Sequence, residues 1–332
     1  MRVIRIDGAA PDYALLREAA DLLRAGRLVA FPTETVYGLG AHALDPAAVQ
    51  RIYDAKGRPS MNPLIVHVAT TTAARALAAE WTPTAQSLAE KFWPGPLTLV
   101  VKKRDVVPDI VTANHDTVGL RVPAHPVALA LLETASLPVA APSANLSTQV
   151  SPTTAEHVRR GLGDRVDLII DGGPTSVGIE STVVDATGAV PRVLRPGMIS
   201  HADIERVAGA VAQPQQSPAT ESHPLSPGMM GRHYAPRARV RLFRESERAA
   251  AVADARATID QGKRVGAMTF RPLDLELAEE HTMPSNPRAY ARELYATLHA
   301  LDDARCDLVL LELPPESAEW TAILDRLRRT TL

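Results

Sequence analysis

Leu28-Val29-Ala30-Phe31-Pro32-Thr33-Glu34-Thr35-Val36-Tyr37-Gly38-Leu39-Gly40 decides the reading of this chain. The apolar run Leu28 to Phe31 gives way abruptly to hydroxyls, a carboxylate and two glycines, as a strand does when it delivers polar groups to a site. Upstream, Leu15, Leu16, Ala19, Leu22 and Leu23 fall on one helical face over 13–25, and Gly26 ends that pattern. Downstream, Lys56-Gly57-Arg58-Pro59-Ser60-Met61-Asn62-Pro63 sets Lys56, Arg58 and Asn62 around a glycine and two prolines. A loop stiffened in this way holds anionic oxygens at little ordering cost.

Working outward, short apolar runs alternate with helical segments. Leu64 to Val68, Leu97 to Val101, Val118 to Val122, Val139 to Ala141, Leu168 to Ile170, Thr182 to Val184 and Val193 to Leu194 read as strands. Helices are expected over 46–54, 83–92, 126–135 and 152–160, the last with Ser151 as N-cap and Pro152 at its first position. The alternation predicts an α/β domain over 1–211, and the many short strands predict a twisted mixed sheet rather than a wholly parallel one. After a helix over 201–211, the stretch Ala212 to Pro227 has four prolines and few apolar residues, as an extended linker would. It ends in Ser226-Pro227-Gly228-Met229-Met230-Gly231-Arg232-His233-Tyr234-Ala235-Pro236, too rich in specific polar and aromatic groups for a spacer. The linker is therefore assigned to 212–236. Over 237–332 a strand-helix rhythm repeats, with strands at Val240 to Phe243, Val265 to Phe270 and Leu308 to Leu313 and helices over 246–261, 287–301 and 316–329. That rhythm predicts a smaller Rossmann-like three-layer domain.

Composition narrows the function classes. The 332 residues suffice for two domains with full cores, and 45% hydrophobic with 22% charged residues is the make-up of a soluble globular protein. With 36 basic and 38 acidic residues the formal charge is -2, so no global positive field advertises nucleic-acid binding. Cys306 is the only cysteine, which excludes a disulfide scaffold and a cysteine zinc cluster and suits a reducing cytosol. No signal-like N-terminus and no membrane-spanning apolar window occur, so a cytoplasmic protein with no membrane association is expected.

The familiar phosphate-binding loops are absent: there is no G-x-x-x-x-G-K-[ST], and neither Gly38-Leu39-Gly40 nor Gly161-Leu162-Gly163 continues into G-x-G-x-x-G. Phosphate must then meet side chains, and Lys56, Arg58, Arg121 and Arg195 lie at or just past the ends of predicted elements, where open α/β sheets bind ligands. Ala141-Pro142-Ser143-Ala144-Asn145 and Gly178-Ile179-Glu180-Ser181-Thr182 bring small polar groups to similar places, though Ser143 and Ser151 also suit turn or cap roles. His67 sits in the alternating strand Leu64-Ile65-Val66-His67-Val68, where a structural role competes with a chemical one. Glu34, Asp54, Asp116 and Glu180 are scattered rather than paired, which disfavours a two-metal cage.

The string from Phe31 to Gly40, the Lys56-to-Pro63 loop, Ala141 to Asn145 and Ser226 to Pro236, in this order, closely resemble the YrdC-like threonylcarbamoyl-AMP synthases in their longer, two-domain form. The recognisable motifs span about 13–236, while 238–332 agrees in length and character. The resemblance implies synthesis of L-threonylcarbamoyladenylate and pyrophosphate from L-threonine, bicarbonate and ATP. The product feeds N6-threonylcarbamoyladenosine modification of tRNAs that read codons beginning with A, through downstream threonylcarbamoyl transferase proteins. It further implies that Thr35, His67, Arg121, Ala141 and Ser181 contact L-threonine, with Arg121 on its carboxylate. Arg58, Asn62, Thr117, Ser143, Ser151, Arg195 and Tyr234 would hold ATP, and Lys56 would face the reacting carbamate and phosphates. Lys56 and Arg58 are thus the expected catalytic cations, and Mg2+ is expected to arrive mainly on the ATP phosphates. Tyr234 would carry the linker over the nucleotide as a lid that excludes water. Two other readings stay open at this stage. One is a carbamoyl-transfer domain of the hydrogenase-maturation kind, against which the single Cys306 argues. The other is a double-stranded RNA or tRNA binder, disfavoured by the near-neutral charge except as a weak tRNA contact.

Overall fold

The structure, a computed structural model, describes residues 1–212 and 233–331. Most of the expected linker, including Ser226 to Arg232, lies outside the described residues. Two compact units emerge, one comprising Met1–Ser147, Pro152–Ser176 and 180–212, the other Thr148–Ser151, Val177–Ile179 and 233–331.

Among the described residues of the first unit, ten strands form one mixed sheet: β1 (Arg2–Arg5), β2 (Val29–Phe31), β3 (Gly38–His42), β4 (Ile65–His67), β5 (Leu97–Lys102), β6 (Thr117–Arg121), β7 (Val139–Ala140), β8 (Leu168–Asp171), β9 (Thr182–Asp185) and β10 (Arg192–Arg195). Their spatial order is β1-β8-β2-β3-β7-β4-β6-β5-β9-β10. β4 pairs parallel to β6, whereas β5 pairs antiparallel to β6. The expected mixed α/β sheet is what the chain forms.

Strand alternation then sorts the faces. Leu39 and Ala41, Val66, Leu99 and Val101, Leu120 and Val184 turn to one face and form the larger core with Val49 and Ile52 of the helix Pro46–Lys56 and Leu88 of the helix Pro83–Phe92. On the opposite face, Val29, Phe31, Val139, Leu168 and Ile170 pack under the helices Tyr13–Arg24 and Pro126–Ala135. Further along that second face, across β4, β6, β5, β9 and β10, the same alternation presents His67, Arg121, Thr98, Val183 and Arg195. His67 stands opposite Arg121, Thr98 opposite Val183, and Val183 opposite Arg195. One sheet therefore has a greasy face and a face that changes from apolar to polar partway across.

Arg195 reaches that face through an irregularity. Val193 pairs with Val184, but the next pair is Arg195 with Val183, so Leu194 is extra. Plain alternation would place Arg195 on the core side with Val193; the bulge re-aims it.

Several sequence expectations need correction. The helix expected over 152–160 capped by Ser151 is Ala155–Leu162, and its cap is Thr154, whose hydroxyl accepts from the His157 N–H. Residues 152–154 stay extended because the Pro152 carbonyl accepts from Tyr37 N–H and the Thr153 carbonyl from Thr175 N–H. The helix expected over 201–211 stops at Ala208, before Gly209. β1, β3 and the helix Thr71–Leu77 were not expected. β3 was hidden by its glycines, and Gly40 shows why they are there: a Cβ would lie 2.8 Å from the Phe31 ring and 2.9 Å from Val139.

Among its described residues the second unit holds four parallel strands, β11 (Arg239–Phe243), β12 (Val265–Thr269), β13 (Glu279–Thr282) and β14 (Leu308–Glu312), in the order β11-β14-β12-β13. Helices Arg248–Ile259, Pro287–Asp303 and Thr321–Arg328 accompany them. The expected Rossmann-like domain is present, with β13 as a strand not foreseen and with the expected helix 316–329 starting only at Thr321.

Candidate active site

The polar half of the sheet face and the loops that border it gather eleven of the thirteen expected site residues in the first unit: Thr35, Lys56, Arg58, Asn62, His67, Thr117, Arg121, Ala141, Ser143, Ser181 and Arg195. Ser151 and Tyr234 belong to the second unit. There Ser151 is buried and its carbonyl accepts from His299, while the Tyr234 ring stacks on Tyr295 at 5.6 Å with the Arg326 guanidinium 5.3 Å from its centroid.

The opening stretch is a hairpin. β2 pairs antiparallel with β3, Phe31 opposite Gly38, and Pro32 to Tyr37 form the turn between them. The Thr33 hydroxyl organises that turn, accepting from the N–H groups of Thr35 and Val36 and meeting the Thr35 hydroxyl at 2.8 Å. Glu34 and Thr35 are thereby aimed at Arg121, at the end of β6. Arg121 donates to Glu34 Oε1 at 2.7 Å, to Thr35 Oγ1 at 3.0 Å and to the Gly95 carbonyl at 3.2 Å. All of this is buried, Arg121 at 3% exposure and Glu34 at 6%. The second carboxylate oxygen of Glu34 has no hydrogen-bond partner.

His67 lies beside this pair. Burial first, and the positive charge of Arg121 second, push its pKa down to about 3, so it is neutral at physiological pH. Its Nδ1 is buried without a partner.

The second cationic group is held differently. Lys56 ends the helix Pro46–Lys56, and Gly57 caps it in the left-handed region at φ 58°. That turn lets Lys56 and Arg58 flank one glycine. The Lys56 ammonium donates to the main-chain carbonyls of Ser143, at 2.5 Å, and Asn145, and to Asn145 Oδ1 at 3.5 Å. Arg58 donates to the carbonyls of Asn62 at 3.2 Å and Pro63 at 2.9 Å. Burial and then the neighbouring Arg58 charge drive the Lys56 pKa well below the usual lysine range. Tyr53 braces the loop by donating to the Asn62 and Ile110 carbonyls, and its own phenol is pushed up to about 12, chiefly by burial. Asn62 is buried with its side-chain oxygen lacking a donor.

Backbone bonds knit these motifs together. Leu39 N–H donates to the Pro142 carbonyl, Ala144 N–H to the Tyr37 carbonyl, Ala141 N–H to the Ile65 carbonyl and Ser147 N–H to the Lys56 carbonyl. At the far side, Arg195 donates to the Ser181 carbonyl and hydroxyl, and that hydroxyl meets Thr98 Oγ1 at 2.8 Å. Between the two ends, Pro63, Ile65, Thr98, Thr117, Gly119 and Val183 line a small cleft. Asn145, Thr98 and the Gly95 carbonyl were not among the expected site groups. Thr98 was legible, as the polar member of the alternating Leu97-Thr98-Leu99. A main-chain carbonyl has no residue signature.

Residues 21–197 match the family profile described as Telomere recombination, that of the Sua5, YciO and YrdC proteins, and residues 199–331 match the profile described as Threonylcarbamoyl-AMP synthase, C-terminal domain. The threonylcarbamoyl-AMP synthase of Pyrococcus abyssi is 42% identical over 95% of this chain and 94% of its own length. That of Bacillus subtilis is 42% identical over 95% and 92%. The crystal structure of Pyrococcus abyssi Sua5 complexed with L-threonine superposes with a TM-score of 0.93 at 40% identity, covering 100% of this chain and 98% of that one.

Proposed function

We propose, from the premise that this chain belongs to the threonylcarbamoyl-AMP synthase family and carries that family's C-terminal domain, that the cationic floor of the first unit condenses L-threonine, bicarbonate and ATP. The chain is an enzyme of the nucleotidyltransferase type. It makes L-threonylcarbamoyladenylate for tRNA modification. The observation that carries this reading is the pair of buried cationic groups on one wall, Arg121 beside Thr35 and His67, Lys56 beside Arg58.

The chemistry asks for such a wall. Threonine's amine adds to bicarbonate, forming an N–C bond and expelling water, and a carbamate oxygen then attacks the α-phosphorus of ATP with release of pyrophosphate. These reactants repel one another in water. In this reading Arg121 takes the threonine carboxylate, with Thr35 and Ser181 as hydroxyl contacts, Ala141 as a small wall, and neutral His67 able to donate or accept without adding charge. Arg58, Asn62, Thr117, Ser143 and Arg195 face the nucleotide, the arginines offering planar forks to phosphate. Lys56 stands at the junction. Its ammonium is costly to bury without an anion, so a polyanionic partner raises its pKa again and is bound more tightly for doing so. Catalysis then rests on positioning and electrostatic stabilisation.

Mg2+ would come with the nucleotide, held mainly by its phosphates, and there it would offset their charge. Bicarbonate and ATP as substrates, and transferase proteins as recipients of the product, belong to the same proposal. The test is pyrophosphate release by purified protein given magnesium ATP, bicarbonate and L-threonine. Release should fall sharply when threonine or bicarbonate is omitted, and release indifferent to threonine would sink the reading.

A further inference from the structure

Forming a carbamate requires the threonine amine to lose a proton, because an ammonium has no lone pair with which to attack carbon. Four titratable groups around Arg121 and Lys56 come into question, and His125 is unsuited because its Nδ1 lone pair already accepts from the Val127 N–H. Lys56 is unsuited, since its Nζ is committed to donating toward the Ser143 and Asn145 oxygens. His67 has a buried, unpartnered Nδ1, but its conjugate acid titrates near 3 and it shares a strand pair with Arg121, so it is a weaker base than an ordinary carboxylate. Glu34 remains. Its Oε1 is anchored 2.7 Å from the Arg121 guanidinium, while its Oε2 is buried and accepts no hydrogen bond. A buried carboxylate oxygen without a donor is costly, so the site is shaped for a donor that arrives with the ligand.

We propose that Glu34 Oε2 receives the ammonium of L-threonine and is the base that takes its proton. The inference rests on the reading above, in which Arg121 seats the substrate carboxylate. The amine of an α-amino acid stands one carbon away from that carboxylate, and Glu34 Oε2 belongs to the carboxyl group that already touches the same guanidinium. In the step, an N–H bond of the ammonium breaks and an O–H bond forms on Oε2, giving a neutral amine and a protonated Glu34. The amine lone pair then forms the bond to the bicarbonate carbon. The C–OH bond breaks and hydroxide leaves as water with the second amine proton; Glu34 later returns its proton to solvent. The charged and titratable groups facing Glu34 are Arg121 from β6, His125 from the cap of the helix Pro126–Ala135, and His67 one strand further. Burial lowers the His125 pKa while the Glu34 charge opposes that shift, so His125 is mainly neutral as well.

The test uses the full chain. Threonine-dependent pyrophosphate release is followed from mildly acidic to mildly alkaline pH for the parent and for Glu34→Gln, whose amide oxygen can still accept from Arg121. Turnover of Glu34→Gln should fall about a hundredfold at neutral pH and recover with rising pH, as free amine becomes abundant without a base. Glu34→Asp, which keeps the charge, should retain the parent's pH profile. In parallel, calorimetry compares L-threonine with 2,3-dihydroxybutanoate, which carries a hydroxyl in place of the amine. The parent should prefer threonine by about tenfold or more, the scale of a charge-assisted hydrogen bond, and Glu34→Gln should bind both alike. An active parent alongside a Glu34→Gln enzyme with unchanged rate and pH profile would overturn the assignment of Glu34 alone. So would a parent that binds the amine-free analogue as tightly as threonine, a result that requires no variant to fold. A parent with no threonine-dependent release overturns the proposed function instead.

Discussion

The two buried cationic groups of the first unit invite comparison, because they sit on one wall and are satisfied in opposite ways. Arg121 is neutralised by a carboxylate, Glu34, and further held by Thr35 and Gly95. Lys56 donates to main-chain carbonyls and an amide oxygen, and its neighbour Arg58 opposes its charge. A carbonyl contributes a dipole but no net charge. The Arg121 end is thus balanced and suited to a zwitterion, whereas the Lys56 end carries excess positive charge and is suited to a polyanion. An α-amino acid and a nucleoside triphosphate differ in just this respect.

The comparison can be broken most severely at the balanced end. Arg121→Ala leaves Glu34 as a buried, unpaired charge and should lower folding stability by about 3–5 kcal/mol while abolishing threonine binding. Adding Glu34→Ala should restore much of that stability but none of the binding. Denaturant titration of the single and double variants decides the matter; additive losses would show that the pair is not coupled. At the unbalanced end, Lys56→Ala should reduce turnover about a hundredfold to a thousandfold, the loss expected on removing one strong electrostatic donor. Single-turnover measurement with saturating ATP is the check, and intact kinetics would remove Lys56 from the reacting centre.

A third experiment sharpens the comparison through pH. His67 has a folded pKa of about 3 against an ordinary 6.5, so below 6.5 the unfolded chain binds a proton that the folded one refuses. Stability should therefore fall as pH drops from 6.5 toward 3, by a few kcal/mol at most, given about 1.4 kcal/mol per pKa unit. His67→Gln should flatten this part of the curve. If it left the acid limb unaltered, other groups would govern acid unfolding.

Much of this arrangement could be read from sequence wherever a local period carries it. The alternation Leu64-Ile65-Val66-His67-Val68, with its like at Thr117 to Arg121, encodes both a strand and the face on which the polar residue lies. Legibility ends where a contact distant in sequence decides the outcome. β3 reads as a loop because glycines are poor strand formers, yet Phe31 and Val139 leave no room for a Cβ at Gly40. Ser151-Pro152 reads as a helix start, but the hydrogen bonds from Tyr37 and Thr175 hold the segment extended. Lys56 and Arg58 read as anion ligands from their loop, whereas the oxygens that hold Lys56 belong to residues nearly ninety positions away. Glu34 reads only as a scattered carboxylate, since nothing local pairs it with Arg121.

The extra residue in β10 has a consequence for how such an enzyme can change over time. Replacing Leu194 by another side chain alters one contact, and deleting it would place Arg195 directly after Val193, still opposite Val183 and, by plain alternation, still on the ligand face; only a Leu194 drawn back into a regular ladder would turn Arg195 into the greasy core beside Val193. The segment can thus drift in composition, or shed its extra residue, as long as Val193 stays on Val184 and Arg195 on Val183. Along β10, the pairing register is as much a part of the active site as the identity of its residues.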